Sequence, residues 1–372
     1  MARVGLHLLF RYFSQRGSVI LLSPYTIVDV VNMVLAAGLR PRFVDVDPNT
    51  GNLAPEALET ADFSEVAAVL VTHLHGVPAD FERIAAICDR HGVPWLEDAA
   101  QCMGAAVGER PIGTLGIAGV FSWGSYKNVN SWFGGVVLTQ DADLANWIRA
   151  ERAAWPLFEA RHLLRKVRES AATDLLGAWP MFGMLLFPLF RKAWLSGWER
   201  INRMLRIELD TSARASLPAY YTGRLTDLQV ASARAQLSRI EVETRIRIQF
   251  AEAYHRGLAD LSGVRLPPAP SGERNVYTYF AVLEERRDDL LCWLMHFGRD
   301  VAPQHLHNVA TLPDFRSFGG ECPVASRVAR SVILLPTYPG YGIDQVKSNI
   351  DIIRWYVRAG RPRYRATEGE SR

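Results

Sequence analysis

Short apolar runs and helix-spaced segments alternate through the first 150 residues, and this alternation limits the chain to few architectures. Ser18–Ser23, Arg42–Val46, Val66–Thr72 and Val93–Glu97 have strand length and strand composition. Between them, Gly5–Phe13, Val28–Ala37 (closed by Gly38) and Asp80–His91 have helical spacing. Repeated strand–helix–strand units predict an α/β fold with a mainly parallel sheet between helices, because parallel strands need a crossover that packs back on the sheet. Ligands of such sheets lie at the carboxyl ends of the strands. The residues to inspect are therefore Tyr25-Thr26, His73–Gly76 and Asp98–Gln101.

At 372 residues the chain is too long for one compact core and suits a large domain with a smaller one attached. Hydrophobic residues at 49% and charged ones at 22% exclude general disorder. A net charge of +3 gives no argument for a nucleic-acid partner. The four cysteines form no CxxC pair, which argues against a structural zinc or disulfide scaffold and suits a reducing, cytoplasmic setting. Met1–Phe13 reads as the start of a folded helix, not a secretory signal.

The predicted organisation is a large domain over 1–150, an insertion over 151–215, a linking helix region over 216–245, a smaller C-terminal α+β domain over 246–358, and a disordered tail over 359–372. In the smaller domain, Val276–Leu283 and Ser331–Leu335 read as strands, and Asp288–His296 and Asp344–Tyr356 as helices. The insertion contains a wholly uncharged run, Leu175–Phe190, interrupted by Pro180 and Pro188 and followed by Arg191, Lys192, Trp194 and Trp198. A transmembrane helix needs about 20 apolar residues, so a span is not expected. Two readings stay open: an insertion packed on the protein or a dimer partner, or peripheral contact of 172–198 with the inner face of a membrane, where tryptophans and cations flank apolar runs.

Three stretches carry chemistry: Glu97-Asp-Ala-Ala-Gln101, Phe121-Ser-Trp-Gly-Ser-Tyr-Lys127-Asn128 and Gly134-Gly135. An acid just past a strand, then a serine and a lysine five residues apart before a Gly-Gly turn, suit one chemistry. A lysine forms a Schiff base with an aldehyde cofactor, an acid keeps the cofactor's ring nitrogen protonated, and a hydroxyl binds its phosphate. Singly, each residue would be a solvated lysine or a helix cap.

At these stretches the chain resembles the DegT/DnrJ/EryC1/StrS sugar aminotransferases, pyridoxal-phosphate enzymes of fold type I. The resemblance includes Arg42–Pro48, His73–Asp80, Gly104, Ile112–Thr114, Arg224–Gln229, Gln236-Leu237 and Leu334–Gly340, and covers about 1–150 and 217–356. It implies that Lys127 is the cofactor-bonding lysine and proton carrier, Asp98 the partner of the pyridinium nitrogen, Gln101 the neighbour of the ring hydroxyl and Ser122 a phosphate ligand. The family's ring-stacking aromatic matches Ile27, which makes the stacking aliphatic packing. The family's phosphate loop at a helix N-terminus matches Arg3-Val4-Gly5-Leu6; Arg3 and the Val4 amide are expected to hold phosphate there, and further chain is expected upstream of Met1. The asparagine that reaches the neighbouring subunit's phosphate matches Thr222, which implies a homodimer.

Substrate contacts are expected from Tyr25, His73 and His305, with His75 a hydrogen-bonded loop residue. Some relatives replace the lysine by histidine and deoxygenate; Lys127 favours transamination. No dinucleotide-binding, Walker or hydrolase-elbow motif occurs. The resemblance thus implies amino transfer, with glutamate as donor, to a keto-sugar on a nucleotide carrier, in polysaccharide or glycoconjugate synthesis. The alternative is a non-catalytic, membrane-associated scaffold or sensor on the same fold.

Overall fold

The computed structural model describes residues 1–178, 181–198, 202, 210–269 and 273–363. In chain order the first part contains α1 (Ala2–Phe13), β1 (Val19–Leu22), α2 (Val28–Ala36), β2 (Arg40–Phe43), β3 (Val66–Thr72), α3 (Phe81–His91), β4 (Trp95–Asp98), β5 (Ala118–Ser122), β6 (Gly135–Thr139) and α4 (Ala142–Ala153). The strands form one sheet in the order β2-β1-β3-β4-β5-β6, parallel except for β6, which runs antiparallel to β5. Side chains on a strand alternate between faces, and here both faces are covered. Ile20 and Leu22 join the core under α1 and α2, whereas Val19 and Leu21 join the core under α3. That double burial is why β3 is a seven-residue apolar run with no polar alternation. Asp80 caps α3 by accepting from the Arg83 amide.

Next come α5 (Ala160–Gly177), a π-helical turn at Phe182–Leu186 and α6 (Phe187–Leu195). Pro188 does not break α6, because it sits in the first turn, where no backbone N–H is needed. No single helix among the described residues is long and apolar enough to cross a membrane. Ala160–Gly177 and Phe182–Leu195 meet that test only together, bent by 76°.

The remainder contains α7 (Asp227–Leu237), α8 (Ile240–Leu258), β7 (Val264–Arg265), β8 (Phe280–Glu284), α9 (Arg287–His296), β9 (Ala302–Pro303), β10 (Val332–Leu335) and α10 (Ile343–Arg358). Its antiparallel sheet, ordered β7-β8-β10-β9, packs on α8, α9 and α10 around Tyr254, Phe280, Leu294, Ile333 and Tyr356.

Two expectations change. The strand expected from Val276 begins only at Phe280, because the preceding residues are drawn onto the large sheet's loops: the Val276 amide donates to the Gly76 carbonyl (2.8 Å) and Thr278 Oγ1 to the Gln101 carbonyl (2.6 Å). Gly76 must be glycine, with φ +82° and room for a Cβ only 2.7 Å from the amides of Tyr277 and Thr278. The tail expected to be disordered from 359 is held at its start, where Arg361 pairs with Glu284 at 3.2 Å. Residues 364–372 lie outside the described residues, as do Trp179 and Pro180 of the apolar run.

Candidate active site

Glu97 and Asp98 end β4 and, as neighbours on a strand, face opposite ways. Glu97 is fully buried and accepts from the amides of Gly113 (2.7 Å), Leu115 (2.7 Å) and Gly116 (2.8 Å). His73 Nε2 lies 3.2 Å from the same carboxylate, and His73 Nδ1 accepts from the Ala79 amide (3.0 Å), so Nε2 carries the proton. Burial pushes the Glu97 carboxyl up, but His73 and the amides outweigh it and leave it below its ordinary value. His73, expected near substrate, is instead a fully buried prop for the strand end.

Asp98 is buried too and has one backbone donor, Ala100, at 3.1 Å. Burial raises its carboxyl above the ordinary value; Ala100 and then Lys127 pull the other way. Lys127 comes from the loop between β5 and β6, anchored by its own amide to the Gly124 carbonyl and by the Ser131 amide to the Trp123 carbonyl. Burial lowers the Lys127 amine, Asp98 opposes this, and the positive charge of Arg3 adds to it. The result is an amine biased toward its neutral, nucleophilic form beside a carboxyl group.

His75 joins Lys127 on this side. Its φ of 59° turns the chain out of strand geometry, its amide donates to Gln101 Oε1 (2.9 Å), and its ring lies 3.4 Å from Gln304 Nε2. Burial, helped by the charges of His305 and Lys127, lowers His75 to about 3, and burial with the charge of Lys127 lowers His305 to about 4. Both imidazoles are therefore neutral near pH 7. His305 lines a cleft, whereas His75 is buried between Gln101 and Gln304. The sequence offers Gln304–His307 as a candidate lining segment, and Gln304 and His305 do line the cleft; Thr278, which chain order separates from Lys127 by more than a hundred residues, has no signal there.

Other expected residues are placed differently. Tyr25, expected near substrate, is fully buried, with its ring edge packed against Gly51. Ile27 is half-buried at the start of α2, against the main core. The Val4 amide already donates to the Met1 carbonyl within the first turn of α1, and the Arg3 guanidinium is bound by Asp29 and lies 3.1 Å from the Tyr221 hydroxyl. Val4 thus has no amide to offer, and Arg3 could serve an anion only while shared with Asp29. Ser122 ends β5 and accepts from the Gly124 amide (3.4 Å), and Thr222 donates to the Ala219 carbonyl (3.1 Å).

A neutral-biased lysine facing an acid at the carboxyl ends of a parallel sheet defines the fold type I aminotransferase class. Residues 2–156 and 203–354 match the model of the DegT/DnrJ/EryC1/StrS aminotransferase family, and the chain belongs to that family. It is 26% identical over 348 residues to a pleiotropic regulatory protein of Geobacillus stearothermophilus, covering 92% of this chain and 79% of that one. It is 25% identical to a UDP-N-acetyl-3-dehydro-α-D-glucosamine 3-aminotransferase of Acidithiobacillus ferrooxidans, covering 91% and 77%. Among solved structures, DesV of S. venezuelae in complex with a ketimine intermediate superposes with a TM-score of 0.71 at 25% identity (96% and 83% covered). DesI in the presence of its TDP-sugar product gives 0.70 at 25% identity (97% and 80% covered). The family match leaves out 157–202, the heart of the insertion.

Proposed function

We propose that the protein transfers an amino group from glutamate to a keto-sugar joined through phosphate to its carrier, using pyridoxal phosphate. The observation that carries this reading is the lowered Lys127 amine beside the buried Asp98. The residues present suit the cofactor. A buried donor next to Lys127 in the chain, Asn128 Nδ2, has no partner among the described residues, as expected where an acceptor-rich anionic group belongs.

Lys127 would bond the cofactor, Asp98 would pair with its ring nitrogen, and Ser122 would serve its phosphate. Gln101, with its amide oxygen taken by the His75 amide, would offer its NH₂ end to the ring hydroxyl. When bound, the cofactor supplies an electron sink for the carbon that loses a proton. Lys127, once displaced, is the base that takes that proton and returns it at the neighbouring carbon. Neutral His75 and His305 add no charge beside the lysine and so leave it free to act as a base. The carrier is a nucleotide in the names of two relatives, UDP in one and TDP in the other. A homodimer, with Thr222 reaching the partner's site, completes the reading.

The test is the visible spectrum of the purified protein with pyridoxal phosphate, before and after glutamate. A Lys127-dependent band that bleaches with glutamate and returns on adding a keto-sugar is expected. A spectrum unchanged in Lys127→Ala would overturn the assignment.

A further inference from the structure

Helical residues 181–195 present two faces, and both are apolar. The inner face supplies Phe182, Phe187, Phe190 and Trp194 to a cleft of about 1000 Å³ whose opposite wall includes Gln304 and His305, the neighbours of His75 and Lys127. Arg191, Arg287 and Arg330 also line this cleft, with Asp300 as its acid. This face is fixed: Arg191 donates to the His296 carbonyl, Ala193 is fully buried, and Trp194 and Leu195 pack on the C-terminal core.

The outer face has Met181, Met184, Leu185 and Leu189 at helical spacing, with Met184 68% and Leu185 59% exposed; Leu175 at the end of α5 is 69% exposed. A surface helix of a water-soluble protein is polar on its outer side, and a contiguous exposed apolar stripe marks a docking site. The charge around it says what docks. Of the six Lys/Arg in 157–198, Arg161, Arg165 and Lys166 pair with Glu159 and Glu169 and Arg191 is held on the inner face, which leaves Lys192 as the cation placed at the stripe. Lys192 ends the stripe with its ammonium 5.5 Å from the ring of Trp198, itself exposed. Apolar side chains edged by a cation and an exposed tryptophan suit an anionic bilayer.

We infer that the described helical residues of 181–198 are a bilayer-docking element, and that the cleft they wall takes a keto-sugar joined through phosphate to a membrane lipid. The sugar would sit toward His305, the phosphates among the arginines, and the start of the lipid chain along the phenylalanines. This rests on the keto-sugar reading above and names the carrier in it. It also accounts for the insertion lying outside the family match.

The test uses the full chain with pyridoxal phosphate and vesicles of phosphatidylglycerol and phosphatidylethanolamine. The wild type should sediment with the vesicles, and the double variant Met184→Glu/Leu185→Glu should bind about a hundredfold more weakly, since two buried apolar chains are lost. Both proteins should give the same circular dichroism. A farnesyl-diphosphate-linked keto-hexose should be aminated with kcat/KM at least about tenfold above its UDP-linked counterpart, from burial of the prenyl chain. Failure of the wild type to sediment overturns the docking. So does a shift of the variant from dimer to monomer without vesicle binding, which would assign the stripe to a second copy. Amination of the UDP-linked sugar alone overturns the lipid carrier and leaves the keto-sugar reading standing; amination of neither overturns both.

Discussion

Around Glu97, three amides and an imidazole converge on one carboxylate that has no solvent exposure, while along 181–195 a row of methionines and leucines is turned outward and left exposed among the described residues. The first region is satisfied internally: both oxygens of Glu97 and both ring nitrogens of His73 have partners. The second is incomplete within one chain. The first lies behind the strand end that presents Asp98, and the second is the outer side of the helix whose inner face walls the cleft. The difference shows which part belongs to the family and which was added to it. The family match includes every residue of the lysine site and stops at 156, resuming at 203. The lysine site thus lies within the matched frame, and the outward apolar row lies in the unmatched segment.

The comparison breaks most visibly at Lys127. Lys127→Ala should lower amino transfer by at least about 10⁴-fold, because the group that moves the proton is gone. Steady-state transfer from glutamate would show this, and wild-type turnover in the variant would remove the lysine from the chemistry altogether. Asp98→Asn keeps the shape but loses the charge that holds a ring proton, and should cost roughly 10²–10⁴-fold, with less loss of cofactor than of rate. The pH profile sharpens the same point. Since burial holds the Lys127 amine below its ordinary value, bond formation with the cofactor should persist on the acid side of a free lysine's titration. A midpoint at or above that of free lysine would contradict the buried site.

Glu97 tests the satisfied region through stability. Replacing it by Leu strands three amides and the His73 ring, and should cost about 3–5 kcal/mol, the range for breaking a buried charged network. Urea denaturation gives the number. Because the folded carboxyl lies below its ordinary value of 4.5, its contribution is in place above that pH and is lost as pH falls through the depressed folded value. Glu97→Gln should remove this acid-side dependence. An unchanged acid limb in that variant would assign the limb to other carboxylates.

How far these regions were legible differs for physical reasons. The sheet was readable because doubly buried parallel strands are apolar throughout, and Asp98 and Lys127 stood out through the family motif they match. The different settings of His73 and His75 were not readable. Strand periodicity puts both on one side, and only the left-handed conformation at His75 separates them. Val276–Tyr279 reads as strand by composition, yet its amides and hydroxyls are taken by Gly76 and Gln101, a contact without a local signature. In the insertion the uncharged run was plain. Its two faces were hidden by Pro188, which reads as a breaker but sits where a helix tolerates it.

The smallest expected effect separates the two regions most cleanly. Leu185→Glu alone should change folding stability by no more than about 0.5 kcal/mol, because an exposed side chain has little packing to lose. Leu70→Ala in β3, also an aliphatic residue but with no exposure, should cost about 2–5 kcal/mol through the cavity it leaves. The contrast is informative because both positions hold leucine, one exposed and one fully buried. Were Leu185→Glu to cost as much as the β3 change in dilute protein without lipid, the stripe would already be packed in solution, and a second copy of the chain would be its cover. A small cost in solution together with loss of vesicle binding leaves the stripe idle in folding and active only at a surface. That combination is what a segment added to a complete enzyme should show.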